Sequence, residues 1–292
     1  ELCKSALAEA SARGDQHNQA FAHYSLAAAL ISQGRYQTAY HHARQACELA
    51  RETGNRWFLA YPLIELGNAA LAMDQSSEAE ESYRESFAIK EAFDDPEGMA
   101  VTLSHLGEIA IQEGRYEEAQ DRLTNSLELY RDLNDRGGLA SSLLGLGKVA
   151  HVTGDNPTAG RYFRQALDIA VKIQFRPLAL SILVEMAALL SSFDKNKVAV
   201  TLLALTEGHP ASKHETRQRA QRQLQSLQSP MAKNDFQSAV RQAPGLDLDG
   251  ALKKVDTKLA ALFENAKGEQ PLVDPLTDRE LELGQTALGG NA

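Results

Sequence analysis

The sequence predicts an all-α fold: a right-handed superhelical α-solenoid of helix pairs, about 40 residues per pair, with a C-terminal helical cap. Three observations predict it. A leucine-glycine step recurs at Leu66-Gly67, Leu106-Gly107 and Leu146-Gly147, and the same register reads Leu26-Ala27 one stride earlier and Met186-Ala187 one stride later. An alanine follows at a constant distance in every stride, at Ala39, Ala79, Ala119, Ala159 and Ala199. Each stride also splits into two stretches whose apolar residues fall at helical spacing. A fixed period in this range marks stacked repeats, each touching only its neighbours, and such arrays present an extended hollow surface for binding.

The bulk properties agree. The 292 residues are 43% hydrophobic and 24% charged, so the chain can bury a core. Nine prolines and 6% aromatics suit alanine- and leucine-rich helices better than strands. A formal net charge of −9 opposes wrapping by nucleic acid or adhesion to an anionic membrane. Cys3 and Cys47 form no disulfide framework and fit a reducing, cytoplasmic setting. There is neither a membrane-length apolar run nor a signal-peptide pattern.

Taken in order, residues 1–15 read as the second helix of a repeat whose first helix is missing. Residues 16–208 hold five helix pairs. In the third, Met99, Leu103, Leu106 and Ala110 give the first helix one apolar face, Gly114 ends it, and Tyr116, Ala119, Leu123, Leu127 and Tyr130 carry the second. Gly34 and Gly154 punctuate the first and fourth pairs at the matching place, whereas Asp74 stands there in the second and tolerates left-handed backbone less well. In the fourth pair Asn156-Pro157 offers an N-cap with proline at the first helical position. A longer loop is expected between pairs, at Gly54-Asn55-Arg56 and Asn134-Asp135-Arg136. The fifth pair is the weakest, because Phe193-Asp194-Lys195-Asn196 replaces the glycine turn. Gly67, Gly107 and Gly147 sit where paired helices approach most closely, and Ala119→Leu should overpack that contact by roughly 1–3 kcal/mol.

Residues 209–268 read as capping helices. The glutamine-rich stretch 211–229, anchored by Leu224 and Leu227, should cover the open end of the array. Lys213, Arg217, Arg219, Arg222, Lys233 and Arg241 outweigh Glu215 and Asp235 there, which reads as a solvated helix face rather than a nucleic-acid contact. Phe236 with Ala239, and then Asp247 to Phe263, suggest two further short helices. Residues 269–292 read as a linker followed by a capping-box pattern, Thr277 with Glu280.

These residues carry two resemblances. The Leu-Gly step followed by Gly34-Arg35-Tyr36 to Ala39, or by Gly114-Arg115-Tyr116 to Ala119, resembles the tetratricopeptide repeat. The closing proline of that repeat is absent, and the stride exceeds the standard 34 residues. Leu276-Thr277-Asp278-Arg279-Glu280-Leu281-Glu282 resembles the opening of a LuxR-type helix-turn-helix, whose apolar and recognition helices do not follow in Gly284 to Ala292. Together they resemble the C-terminal region of LuxR/MalT-like regulators, in which a STAND-class ATPase precedes a repeat-containing sensor. The resemblance implies a non-catalytic sensor segment. It would take a small-molecule inducer, a peptide or a protein partner in its concave groove, and contact DNA only through a helix-turn-helix missing from this chain. No cofactor is expected in the chain itself, ATP belonging to a missing N-terminal module. The alternative is a freestanding scaffold that grips a protein or peptide.

No enzymatic motif stands out. Gly145-Leu146-Gly147-Lys148 lacks the first glycine of a phosphate loop, with Ser142 in its place, and Val149 replaces the hydroxyl residue that would hold magnesium. His41, His42 and Cys47 share a helix at spacings that do not converge on a metal, and the histidines read as surface residues. The groove positions implied by the repeat resemblance lie two places before and after each Leu-Gly step: Tyr24 and Ala28, Ile64 and Asn68, Ser104 and Glu108, Leu144 and Lys148. One turn to either side adds Phe21, Tyr61, Val101 and Ser141, then Ile31, Leu71, Ile111 and His151. Their chemistry changes from unit to unit while the packing positions do not. Tyr24, Tyr61 and Ile64 should take an apolar part of a ligand, and the polar row Asn68, Glu108, Lys148 and His151 its hydrogen bonds or charge. The plain alternative is a Glu108–Lys148 salt bridge within the groove.

Overall fold

The computed structural model describes residues 2–263, and these contain α-helices and one short 3-10 turn. Helix α1 (Leu2–Ala12) leads into five pairs: α2 (Gln16–Ser32) with α3 (Tyr36–Glu52), α4 (Arg56–Leu71) with α5 (Ser76–Ala92), α6 (Pro96–Gln112) with α7 (Tyr116–Asp132), α8 (Arg136–Val152) with α9 (Asn156–Lys172), and α10 (Arg176–Ser191) with α11 (Asn196–Gly208). Helices α12 (His214–Gln228), α13 (Lys233–Gln242) and α14 (Leu248–Phe263) follow. The capping box at Thr277 and Glu280 lies outside the described residues.

The chain keeps a shorter beat than the repeat. One residue with positive φ ends each of the first ten helices, at Gly14, Gly34, Gly54, Asp74, Asp94, Gly114, Asn134, Gly154, Gln174 and Asp194. The next N–H then turns back onto the preceding helix, as in Arg35 to the Leu30 carbonyl (2.9 Å) and Phe175 to the Ala170 carbonyl (2.8 Å). This closes a Schellman-type end and satisfies carbonyls the helix would leave bare. Connections between pairs are thus no longer than those within them, contrary to the loop expected at Gly54-Asn55-Arg56. The weakness expected at Asp74 and Asp194 does not appear either: both residues take the turn, at φ 60° and 58°. Their short polar side chains tolerate this geometry at modest cost.

The residue after the turn restarts the chain. Asp15, Asn55, Asp95 and Asp135 each accept from the backbone N–H three residues on, which fixes the starts of α2, α4, α6 and α8. Small residues set the pair spacing. A β-carbon on Gly67, Gly107 or Gly147 would meet Tyr83, Leu123 or Phe163 of the partner helix at 2.7 Å or less.

The core thickens along the array. The first two pairs and the first helix of the third hold small clusters, around Leu26 with Leu30, Cys47 with Leu63, and Tyr83 with Ile109. From α6 onward one continuous core runs to Leu259 of α14. Helix α12 packs on α11 and α10, in the place a sixth pair's first helix would take, while α13 covers α11 and α14 turns back onto α9. No helix among the described residues is long and apolar enough to cross a membrane.

Candidate binding groove

First helices of successive pairs pack on one another, α2 on α4, α6 on α8 and α8 on α10, which puts them on the inner side of the stack. The structure divides the expected site residues into separate groups. Tyr24 and Tyr61 share an aromatic cluster. Tyr24 meets Phe58 edge-on (5.9 Å between ring centroids) and Tyr61 (6.3 Å), while Trp57 packs on Tyr61 (5.0 Å). Phe21 and Trp57 remain 58% and 47% exposed, so the cluster presents an open aromatic shelf.

Beneath the shelf lies Lys90, which is buried. Its Nζ sits 3.5 Å from the Tyr61 ring centroid and donates to Asp95 at 2.8 Å. Cation–π contact and ion pairing together make this burial tolerable. Trp57, Phe58 and Lys90 were missed in the sequence. The available signal was a lysine in a register otherwise held by Ala50, Tyr130 and Ala170, all buried.

The polar row is only partly a unit. Glu108 and Lys148 pair directly, the lysine donating to both carboxylate oxygens. Burial pushes the Glu108 carboxyl up, but the Lys148 ammonium and the Arg219 guanidinium outweigh it and hold it below the usual range. Asn68 accepts from the Tyr83 hydroxyl (2.8 Å) and donates to Glu65 (3.3 Å). Ser104 belongs to a chain of hydroxyls with Ser126 (2.7 Å) and, through it, Ser142 (3.0 Å). His151 turns to Asn156 (2.8 Å) at the helix end, away from the row. Ile64 and Leu144 pack against core clusters.

Further groups join this row that periodicity did not pick out. Glu65 is drawn upward in pKa by burial, and its nearest relief comes from the Asn68 amide and the charge of Lys213. His105 stacks on Tyr83 (4.8 Å, 9° between planes), and burial holds its pKa at about 4. Opposite them stands the N-terminal part of α12. Arg219 pairs with Glu185, and Thr216 shares a hydroxyl hydrogen bond with Ser181 (2.9 Å). The His214 ring lies against Gly34, so closely that a β-carbon there would be 2.5 Å from His214 Cδ2. Two expectations are corrected here. Helix α12 does more than cover the last pair, because its N-terminus crosses the hollow to the first. Arg219 does not lie on a solvated face either, since its partner Glu185 is only 10% exposed.

Elsewhere, His42 departs from the surface reading. Its Nδ1 lies 2.8 Å from Nδ1 of His23, and burial lowers both pKa values. Among the described residues no group of three or more His, Cys, Asp or Glu is gathered to hold a metal. Gly145-Leu146-Gly147-Lys148 lies inside α8, where its backbone N–H groups belong to the helix ladder.

Comparisons with known proteins bear on this geometry. The tetratricopeptide repeat family matches residues 98–172, which span α6 to α9. Comparison with curated proteins finds no match. Among solved structures, the chain is similar to the apo form of RapI, at 14% identity and TM-score 0.59 over 88% of this chain and 90% of that one. It is also similar to a Rap protein complexed with competence and sporulation factor, at 15% identity and TM-score 0.58 over 84% and 76%. A third is a STAND protein with a tetratricopeptide repeat sensor from Pyrococcus horikoshii, at 18% identity and TM-score 0.53. There the alignment covers 89% of this chain but only 39% of the other. At such identities the likeness is one of fold: a tetratricopeptide-like solenoid.

Proposed function

We propose that this chain is a non-catalytic sensor segment, binding a ligand or protein partner in its hollow face, within a cytoplasmic LuxR/MalT-like STAND ATPase and transcriptional regulator. One observation carries the reading. The packing positions repeat almost unchanged, whereas the inward positions carry an aromatic shelf at one end and half-buried charges at the other. A constant scaffold with a varied, chemically mixed hollow is what selective binding requires. The repeat sensor of the Pyrococcus horikoshii STAND protein supports the setting, and the factor-bound Rap protein supports the mode.

Binding would act by population shift: a ligand that prefers one curvature of the stack changes how it engages the attached ATPase. ATP would sit on that module and DNA on a helix-turn-helix, with no cofactor on this chain. The second reading, a freestanding protein- or peptide-binding scaffold, is favoured by the likeness to RapI over most of both chains.

A thermal-shift screen against peptides, sugars and nucleotides tests the reading, since a ligand that binds only the folded state must raise its stability. A stabilising compound should lose its effect in Tyr61→Ala or Lys148→Ala protein. Retained stabilisation in both variants would move the working surface elsewhere.

A further inference from the structure

The acidic side chains of the hollow are answered by cations from a segment of the same chain, and this identifies the partner the hollow accepts. We propose that the N-terminal segment of α12, Lys213–Arg219, is a built-in occupant of the groove, and that the external ligand is a cationic peptide that displaces it. The inference rests on the reading above that the hollow is the working surface.

Three carboxylates face this region: Glu65 of α4, Glu108 of α6 and Glu185 of α10. Glu108 has Lys148 from the array itself. Glu185 has only Arg219 as an ion-pair partner among the described residues, and Glu65 has none, although the charge of Lys213 reaches it. With the α12 segment removed, two largely buried carboxylates would stand without a cation. A buried charge in that state is strongly disfavoured, so whatever replaces the segment must bring positive charge of its own. Neutral sugars and anionic nucleotides cannot do so. A peptide with two basic side chains, spaced as Lys213 and Arg219 are, can.

The segment is held by polar contacts. Those with the hollow are the Arg219–Glu185 pair, the bond of the buried Thr216 hydroxyl with Ser181 and the His214 ring on Gly34, and Arg217 adds hydrogen bonds to the Glu207 and His209 carbonyls at the end of α11. Lys213, His214 and Glu215 are exposed, so no apolar burial fastens them. The apolar grip of α12 begins later, at Ala220 and Leu224. The segment up to Arg219 can therefore unwind by exchanging these polar contacts, while the helix from Ala220 stays docked on α11. Its release would also free the contact between the last helices and the first pair, which couples occupancy of the hollow to the curvature of the stack.

The test uses the full chain and a fluorescein-labelled synthetic peptide with the sequence of residues 209–222. In the wild-type chain the tethered copy competes at an effective concentration on the order of millimolar, so the free probe should bind weakly. Lys213→Ala/His214→Ala, at exposed positions that leave the core intact, should tighten probe binding, and Arg219→Ala should tighten it at least tenfold. Adding Glu65→Gln and Glu185→Gln should abolish the gain. Equal probe affinity in wild type and both releasing variants would overturn the proposal. So would equal binding of a probe with its lysine and arginines replaced by glutamine; if that binding still needed Tyr61 and Asn68, the hollow would remain the working surface. Binding indifferent to every inward substitution would instead remove the reading on which the proposal rests.

Discussion

Lys148 of α8 donates to both carboxylate oxygens of Glu108 on α6, and the two residues hold the same position in consecutive repeats. The pair is a strut between neighbouring units on the hollow face. Its lysine side chain is 15% exposed and its glutamate 37%, so it lies between a surface pair and a buried one. Lys148→Met should destabilise the protein by about 1–2 kcal/mol in urea unfolding. Glu108→Gln/Lys148→Met should lose less than the two single changes summed. Strict additivity would mean that the strut carries no coupling.

A size exchange between repeats gives a sharper forecast. At one inter-helix contact the successive pairs read Ala50 with Phe58, Lys90 with Gly98, Tyr130 with Gly138, and Ala170 with Leu178. Large residues face small ones each time, and a β-carbon on Gly138 would lie 2.2 Å from Tyr130 Cδ1. Gly138→Leu alone should overpack this site by about 1–3 kcal/mol or more. Tyr130→Ala/Gly138→Leu, which copies the Ala170–Leu178 solution, should recover most of the loss. The midpoint of thermal unfolding for the three variants decides it.

Acid sensitivity should come from the hollow. His105 has a folded-state pKa of about 4 because burial disfavours its charged form, against an ordinary value of 6.5. Above pH 6.5 neither state carries the proton. Between pH 6.5 and 4 the unfolded chain takes it up and the folded chain does not, so stability falls as pH falls through this window and levels off below it. The full loss is at most about 3 kcal/mol. His23 and His42, also lowered by burial, act in the same direction. Glu65 acts oppositely, since its folded pKa is raised. His105→Gln should flatten the fall in melting temperature between pH 6.5 and 4.5; an unchanged slope would assign that fall to other groups.

The helix ends offer a stabilising change. Gln174 sits at φ 56°, a backbone region that strains a side chain with a β-carbon. Gln174→Gly should therefore raise stability by about 1 kcal/mol, as the free chain's extra entropy offsets part of the relieved strain. Gly154→Ala, at φ 90° with open space around it, should lower stability by a similar amount.

Much of the scaffold was legible because its rules are local. The Leu-Gly steps marked the close helix contacts that Gly67, Gly107 and Gly147 indeed form. The same reasoning undervalued Asp74 and Asp194 and passed over Asp94 and Gln174, because a left-handed turn announces itself only when glycine fills it. The site was less legible. Tyr24 and Tyr61 could be assigned to one face from their places in the repeat, and the structure brings their rings into contact. Trp57 and Phe58 stand four and three residues before Tyr61 on the same face of α4, whereas Lys90 reaches Tyr61 only once α5 folds against α4, and Tyr24 reaches Phe58 only once two pairs are stacked.

By itself, then, the sequence determined the all-helical architecture, the repeat length and the positions that must stay small, since each depends on contacts within a unit or with the next one. Only the tertiary structure decided what occupies the hollow. Small rotations between successive pairs add along the array until His214 of α12 meets Gly34 at the end of α2. No local pattern encodes that meeting, because the residues are joined through every intervening interface rather than through any spacing in the chain.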